Sequence, residues 1–433
     1  MQELNYQNSQ NYEIFEKQNY EDTKKPELGI YIHIPFCIKK CYYCDFISYP
    51  NKFDWQEKYI KKIKEEIQAQ KQVLEKYNIT TIYIGGGTPS SIESKYIEEI
   101  LKEIKKYIKQ KPLNAKKQEI TIEVNPGTVT KEKLESYKKT GVNRISIGLQ
   151  TTNNKLLKQI GRIHNLEDFE KSYKLIKEAG FENINIDLMI GLPDQTIEDI
   201  KKSIEKIINL KPKHISVYSL IIEENTKFEK MLEEKKLNLP SEEEERYQYH
   251  YVKNKLELAG YTHYEISNFA INGCESKHNL NCWEQKEYIG FGIAAHSYID
   301  KIRMSNTINL EEYLKISSKE IEEENKKIDK IKKENSIEEN KKIELPIKIG
   351  IKTINEIQSK LDEEKEYMLL GLRKIQGISI SKFKQKFGEN PIFLFKEKLS
   401  YLADEKLIEI DLDQIKLTRK GLDLANIVWE EFI

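Results

Sequence analysis

Three cysteines, Cys37, Cys41 and Cys44, lie within eight residues of the chain. Thiolates on one short loop can converge on a single soft metal centre and leave one coordination position free. A structural zinc site would need a fourth ligand, for which His33 or Cys274 is available. The charged Ile-Lys-Lys segment after Cys37 argues against three inert, buried thiols. The motif therefore predicts a metal centre, and it leaves open whether that centre is a cluster or a closed zinc site.

Further glycine-rich and polar signatures follow later β-branched runs. The segment 85–89 reads Gly-Gly-Gly-Thr-Pro, and Glu123 stands in the segment TIEVNPG. An inward-facing carboxylate is costly without a partner, so Glu123 is a candidate binding residue. Gln150, Arg162 and Asp187 follow in SIGLQ, IGRIHN and NINIDLMIGLP. A guanidinium suits a carboxylate by bidentate pairing, and an aspartate suits ribose hydroxyls, so these residue types indicate a polar ligand.

Six β-branched runs, each followed by a turn and a Lys/Glu-rich amphipathic helix, must position these residues. The runs are 29–36, 80–87, 119–127, 143–150, 183–193 and 214–222. Their Ile, Val and Tyr content with small residues is typical of strands covered on both faces, and six serial units predict a parallel sheet with right-handed crossovers. Nearly every run ends in a polar or glycine-bearing signature, which is where barrel folds gather their ligands. We therefore predict an α/β fold: a partial (β/α)6 TIM-type barrel with a C-terminal, mainly helical domain.

The remaining chain divides by composition. We expect a flexible N-terminal extension over 1–27, the barrel over 28–260, and a barrel-closing segment over 261–314 that carries HNLNCW. The low-complexity charged insertion 315–350 is either a solvated helix or disordered, and its composition favours disorder. Residues 351–433 read as helices with a small hairpin and predict a compact C-terminal helical domain.

Composition limits the class of protein. The 433 residues carry 71 Lys+Arg and 71 Asp+Glu, so the balanced charge removes the simplest electrostatic case for nucleic-acid binding. No apolar run of about 18 residues occurs, and the N-terminal residues lack a secretory signal, so we expect neither a transmembrane segment nor secretion. Five cysteines, an odd number, argue against a disulfide framework and favour a reducing cytoplasmic location.

The cysteine motif at the end of a first barrel strand resembles the radical S-adenosylmethionine (radical SAM) superfamily. The surrounding segments, YIHIPF before Cys37 and CYYCDF from Cys41 to Phe46, narrow the resemblance. They are similar to oxygen-independent coproporphyrinogen oxidase and its relatives, the HemW-type heme chaperones. The similarity runs from about residue 28 to the C-terminus, apart from the charged insertion, and its motifs recur in order at successive strand ends.

The resemblance implies two cofactors. Cys37, Cys41 and Cys44 would hold a [4Fe–4S] cluster, whose fourth iron would take the amino and carboxylate groups of S-adenosylmethionine. The residues that would bind S-adenosylmethionine are Tyr31, Tyr43, Gly86, Gly87, Thr88, Glu123, Gln150, Arg162 and Asp187. In the family the positions of Gln150, Arg162 and Asp187 line a second S-adenosylmethionine site. The resemblance therefore leaves open whether one or two molecules of S-adenosylmethionine bind. Asp194 departs from the usual glycine after GLP, while Tyr218 and Ser219 are either cavity-lining or packing residues.

Two features separate the branches of this group. The oxidase motif carries a fourth cysteine where this chain has Phe46, and CxxxCxxCxF resembles the chaperone branch. The segment from His278 to Trp283 is similar to the chaperone's HNxxYW motif, with Cys282 in place of tyrosine. An imidazole can ligate heme iron and a tryptophan could stack on the macrocycle, so His278 is the predicted heme ligand and His296 a second candidate.

The predicted function is that of a heme chaperone that passes heme to respiratory hemoproteins, without coproporphyrinogen oxidase activity. The alternatives are oxygen-independent oxidation of coproporphyrinogen III to protoporphyrinogen IX, and another radical enzyme acting on an unknown small molecule. The expected partners are heme and hemoprotein clients. Peripheral membrane contact, a homodimer and cleavage of S-adenosylmethionine are left open.

Overall fold

A computed structural model describes residues 25–108, 118–337 and 345–433. Most of the predicted extension 1–27 and residues 338–344 of the charged insertion 315–350 lie outside the described residues. The strands, numbered in chain order, are β1 Glu27–Ile34, β2 Phe36–Cys37, β3 Tyr49–Pro50, β4 Asn78–Gly86, β5 Glu119–Val124, β6 Arg144–Gln150, β7 Asn183–Ile190, β8 His214–Ser219, β9 Thr262–Glu265, β10 Asn268–Ala270, β11 Tyr288–Phe291, β12 His296–Ile299, β13 Ile302–Asn306, β14 Ile347–Ile349, β15 Lys352–Ile357, β16 Ile378–Ser379, β17 Ile408–Ile410 and β18 Gln414–Leu417.

The helices alternate with the strands in the first half of the chain. The α-helices are Gln56–Ala69, Lys71–Leu74, Ser94–Lys105, Lys131–Lys139, Asn154–Gln159, Leu166–Glu178, Ile197–Leu210, Lys227–Glu233, Glu242–Leu258, Lys277–Trp283, Leu310–Lys315, Ser318–Ile337, Lys360–Gly371, Ile380–Phe387, Pro391–Leu394, Lys396–Asp404, Arg419–Asp423 and Ala425–Glu430. Short 3-10 turns cover Phe53–Trp55 and Pro89–Ser91. Side-chain caps fix several starts: Asn165, Thr196, Ser241 and Ser359 each form a capping box.

One sheet of 13 strands carries the site, in the order β14-β15-β13-β12-β11-β1-β4-β5-β6-β7-β8-β10-β9. Strands β1, β4, β5, β6, β7 and β8 are parallel neighbours, and they match the six predicted runs in order. Their isoleucines are buried because helices cover the outer face while side chains fill the inner one. The predicted partial barrel is confirmed. Strand β11 adds in parallel to β1, and antiparallel strands extend both ends of the barrel.

The charged insertion differs from the disorder that its composition favours. Residues Ser318–Ile337 form a helix, and this expectation is wrong for that part of the segment. Ile321 and Ile328 are buried, and Glu324 accepts a hydrogen bond from the backbone N–H of Ile351 at 2.8 Å. Apolar residues recur at helical spacing between the charges, so one face finds a partner that mean composition does not reveal.

The C-terminal residues form a separate apolar cluster around Met368, Phe383 and Leu402. Its small sheet has the order β16-β18-β17, and helices surround it, as the sequence predicts. Within the three described ranges, no helix is long and apolar enough to cross a membrane.

Candidate functional site

The three motif cysteines line one cavity of about 400 Å³ at the carboxyl ends of the barrel strands. Strand β2, which contains Cys37, pairs in parallel with β3, so the cysteine loop is closed at its base. The loop is also fixed to the barrel: the N–H of Tyr42 donates to the carbonyl of Ile160 at 3.0 Å, and the Tyr42 carbonyl accepts from Phe228 N–H at 2.9 Å. Backbone hydrogen bonds therefore fix the loop that carries the thiols.

The environment of Cys37 and of Cys44 disfavours the free thiolate. Burial raises the pKa of Cys37, although hydrogen bonds from Thr88 and Ser48 act in the opposite direction. Burial, and then the neighbouring Cys41, raise the pKa of Cys44 to about 12. Metal ligation needs thiolates, so loading this site must release protons and must supply positive charge to the loop.

The glycine run is required by close contacts. A Cβ on Gly87 would lie 3.0 Å from Cys37 Sγ and from two backbone carbonyl oxygens, and one on Gly85 would lie 3.0 Å from the Glu123 carboxyl group. Gly86 has φ +110°, and a Cβ there would lie 2.7 Å from the His33 ring. Only glycine lets β4 approach both the cysteine loop and β5 this closely.

Thr88 begins a chain of hydrogen bonds across the cavity wall. Its hydroxyl lies 3.5 Å from Cys37 Sγ and accepts from Asn125 Nδ2 at 2.8 Å. Asn125 Oδ1 in turn accepts from Arg162 Nη1 at 2.9 Å. Asn125 was missed by the sequence analysis. Its position directly after the strand that carries Glu123 was the available signal.

Glu123 faces the cavity with two donors on its carboxylate. Tyr83 Oη donates to Oε1 at 2.8 Å, and the N–H of Gly86 donates to Oε2 at 3.2 Å. Burial raises the pKa of Glu123 to about 7, with Asp187 acting in the same direction and Tyr83 against it. This carboxyl group is therefore poised to titrate near neutral pH.

The side chains of Gln150 and Arg162 both pack against Gly148. The β6–β7 register shifts between Gly148 and Gln150, and Gln150 has φ +68°. A Cβ on Gly148 would lie 2.7 Å from Gln150 Nε2 and 2.8 Å from Arg162 Nη2. This bulge turns the glutamine towards the cavity, an irregularity that strand patterns in the sequence do not indicate.

Asp187 rests on a buried polar network below the cavity. Asn185 Nδ2 donates to Asp187 Oδ1 at 2.7 Å and to Ser146 Oγ at 2.8 Å. Asn185 Oδ1 contacts His214 Nδ1 at 2.6 Å, and His214 Nε2 contacts Tyr264 Oη at 2.7 Å. Burial raises the pKa of Asp187, although Asn185 opposes the shift. Sequence reasoning missed this supporting network because its members are spread over four strands.

The other predicted residues fall in different places. Tyr43, Tyr218 and Ser219 line the cavity, whereas Tyr31 is not among its lining residues. The Tyr31 hydroxyl lies 3.1 Å from His33 Nδ1, and burial raises its pKa.

A closed zinc site finds no support in the described ranges. Both ring nitrogens of His33 have partners, since Nε2 lies 2.8 Å from the carbonyl of Ile47. Across the described residues, no group of three His, Cys, Asp or Glu side chains could hold a single metal ion. Cys274 does not line the cavity.

His278 is buried in the barrel interior, away from the cavity lining. Its Nδ1 lies 2.9 Å from Thr81 Oγ1, and its ring stacks on Tyr83 with centroids 5.2 Å apart. Burial lowers its pKa to about 4. Heme ligation would require this packing to open, so His278 stays a predicted heme ligand that is buried in this structure.

Trp283 packs against the C-terminal domain. The guanidinium carbon of Arg373 lies 4.4 Å from the Trp283 ring and 4.7 Å from the Trp429 ring, so a cation lies between two indoles. Stacking of Trp283 on a macrocycle stays a prediction, and it would need a part of the indole ring that Arg373 does not cover.

The donor set fits the two implied cofactors. Three thiols gather at one end of the cavity, as a cluster with an open iron requires. The rest of the cavity is lined by two carboxylates, a guanidinium and the glycine-rich backbone. The cavity volume lies in the range of small-molecule sites. Eight of the nine residues predicted for S-adenosylmethionine line it: Tyr43, Gly86, Gly87, Thr88, Glu123, Gln150, Arg162 and Asp187.

Comparisons with known families agree with this geometry. The family model for the radical SAM superfamily matches residues 31–207, and the one for the HemN C-terminal domain matches residues 358–424. Fold and site thus define a radical SAM protein, a class that goes with a [4Fe–4S] cluster and S-adenosylmethionine.

Curated relatives narrow the class. The heme chaperone HemW of Lactococcus lactis subsp. lactis is 38% identical over 411 residues, which cover 95% of this chain and 98% of that protein. The heme chaperone HemW of Bacillus subtilis is 35% identical over 403 residues, which cover 93% and 98%. The chain belongs to the heme chaperone HemW family.

A solved structure shows the same fold. Coproporphyrinogen III oxidase (HemN) from Escherichia coli, a radical SAM enzyme, matches with a TM-score of 0.74 over 94% of this chain and 90% of that one. Its sequence identity is 22%, so the likeness extends to the fold alone.

Proposed function

We propose that this protein is a heme chaperone that binds heme and delivers it to respiratory hemoproteins. The observation that carries the proposal is the similarity to curated heme chaperones along nearly the whole chain. Phe46 supports it, because an exposed phenyl ring stands beside the cluster loop where the oxidase motif has a further cysteine.

We further propose that Cys37, Cys41 and Cys44 hold the [4Fe–4S] cluster. A cluster held by these three thiols would supply one iron without a protein ligand, at which S-adenosylmethionine would bind. The chain's own contribution is position: the backbone bonds of Tyr42 fix the loop, and Thr88 lies against Cys37 Sγ. Rigid placement of this kind lowers the cost of binding.

The cavity polar groups then orient S-adenosylmethionine. Glu123 and Asp187 offer acceptors for hydroxyl or ammonium groups, and Arg162 offers donors. The Asn125 bridge holds Arg162 against Thr88, so the cluster end and the polar end of the site are linked by hydrogen bonds.

The test is anaerobic reconstitution with iron and sulfide, followed by hemin titration and a parallel coproporphyrinogen III assay. The expected result is a cluster chromophore, stoichiometric heme retention and no protoporphyrinogen. The matched control is Cys274→Ser, which should keep the cluster, against Cys44→Ser, which should lose it. Turnover of coproporphyrinogen III would instead make the chain an oxidase, and a protein that retains no heme would contradict the proposal.

Transfer completes the test. Heme-loaded protein is mixed with an apo-hemoprotein, and the absorption spectrum of the recipient is followed after separation. Transfer faster than from albumin-bound hemin supports delivery, whereas heme that stays bound identifies a storage or sensor protein.

A further inference from the structure

Four large apolar side chains stand exposed around the cavity mouth. Exposed fractions are 47% for Ile38, 56% for Phe46, 55% for Ile163 and 67% for Ile221. We call these four residues the apolar rim. Contiguous exposed apolar surface on a folded domain marks a contact site.

The rim is continuous with the cysteine loop. Phe46 and Ile221 line the main cavity, while Ile38 and Ile163 line a small adjoining cavity of about 20 Å³. The two cavities share Lys39, Cys41, Thr88, Asn125 and Arg162 in their walls. The rim therefore frames the opening through which a ligand reaches the cluster.

Two lysines stand at this opening. Lys39 and Lys40 line the main cavity, and Lys39 Nζ lies 5.4 Å from the centre of the Tyr42 ring. Asp45 and Glu223 also line the cavity. A flat apolar ligand with carboxylates at one edge would be held in a single orientation, its carboxylates towards the lysines.

We propose that the apolar rim binds one face of heme and that Lys39 and Lys40 pair with its propionates. This inference rests on the proposed heme-chaperone function and specifies where on the protein heme binds. Heme on the rim covers the opening of the cluster cavity, so heme and the ligand within that cavity influence each other's affinity, and the coupling is reciprocal.

The histidines explain why this site suits a carrier. All seven lie in the described residues. His33, His164, His214, His263 and His278 are buried, and His250 pairs with Asp423 at 2.8 Å. His296 is exposed but lines neither cavity. His164 lines the small cavity beside Ile163, but its side chain is buried. No exposed histidine lines either cavity, so rim-bound heme is held by its face and its propionates, and a client that supplies an iron ligand can remove the heme.

The experiment measures hemin affinity in cluster-reconstituted protein at equal iron content. Phe46→Ser and Ile221→Ser are each expected to weaken binding about tenfold, since each removes one buried apolar contact. Lys39→Gln is expected to weaken it severalfold. Matched controls are Phe393→Ser and Leu412→Ser, whose side chains are 78% and 100% exposed in the C-terminal domain, and these should leave affinity unchanged.

A second readout is protection of the cluster. Hemin should slow removal of cluster iron by a chelator in the wild-type protein, and this protection should weaken in Phe46→Ser. Rim variants that bind heme normally, with affinity lost in His278→Ala instead, would overturn the rim site and leave the chaperone function standing. Rim variants that turn a dimer into a monomer without changing heme affinity would also overturn it, because the rim would then be an interface between copies. Failure of the wild-type protein to bind heme would refute the proposed function itself.

Discussion

Glu123→Gln is expected to stabilise the cofactor-free protein at alkaline pH while weakening its binding of S-adenosylmethionine. The pKa of Glu123 stands at about 7, against 4.5 for an unperturbed glutamate, chiefly because the side chain is buried. Between these values the folded protein holds a proton that the unfolded chain has released. The free energy of unfolding therefore falls as the pH rises from about 4.5 to 7 and levels off above it.

The magnitude follows from the same two values. At about 1.4 kcal/mol per pKa unit the difference corresponds to about 3 kcal/mol, which is an upper value because the side chain keeps some exposure. A glutamine keeps the size and loses the titration, so the variant should lack this penalty at pH 8. At pH 4.5 the two proteins should differ little, since the folded glutamate is then protonated.

The assay is thermal denaturation of the reduced, cofactor-free protein at intervals from pH 5 to pH 8.5. The quantity of interest is the difference in Tm between variant and wild type, because Glu265 and Glu324, whose pKa values burial also raises to about 7, contribute equally to both. The difference in Tm is expected to grow towards pH 8 to about 3 °C, at about 1 °C per kcal/mol for a chain of this length. A variant whose Tm differs from wild type by the same amount at every pH would refute the reasoning.

Three further changes test other parts of the site. Gly87→Ala should lose most of its cluster on reconstitution, because the new methyl group meets Cys37 Sγ and two carbonyl oxygens at 3.0 Å. Gly127→Ala, which strains a backbone of φ +80° but brings its methyl group within 4 Å of nothing, should retain the cluster, as iron and sulfide analysis would show. His278→Ala should lower the free energy of unfolding by about 2–4 kcal/mol through a lost buried contact and hydrogen bond, and unchanged stability on denaturant titration would contradict its buried position. Arg373→Leu should lower the free energy of unfolding by about 1–2 kcal/mol and change the tryptophan fluorescence, because two of the three tryptophans flank this cation. An unchanged emission spectrum would count against the stacked arrangement.

Local pattern was enough to predict the strands of the barrel. Each of the six runs is rich in β-branched residues and is followed by an amphipathic helix, nearly every run carries a polar or glycine-bearing signature at its end, and all six form neighbouring parallel strands. Because carboxyl ends of parallel strands meet at one edge, residues as distant as Cys37 and Asp187 were expected near one cavity, and they line it.

The same patterns do not predict contacts between residues on neighbouring strands. Asn125 links Thr88 to Arg162, and Asn185 carries Asp187, but neither asparagine differs in sequence from an ordinary turn or strand residue. The helix at 318–337 shows the same limit, because its composition suits solvent and only its packed partner makes it fold.

The sequence by itself determined the chemistry available to this protein: three thiols at fixed spacing, glycines where strands crowd together, and acids and a guanidinium at strand ends. The residue types show which groups can ligate a metal, and the spacing of apolar residues indicates the strands. Both are local properties of the chain, so the sequence shows them directly. Tertiary structure alone decided which groups are accessible. In the folded chain His278 is buried beside Tyr83, Arg373 lies between two indole rings, and Phe46 is exposed at the cavity mouth. Burial is a property of the assembled sheet and its neighbours, and so no short stretch of chain specifies it.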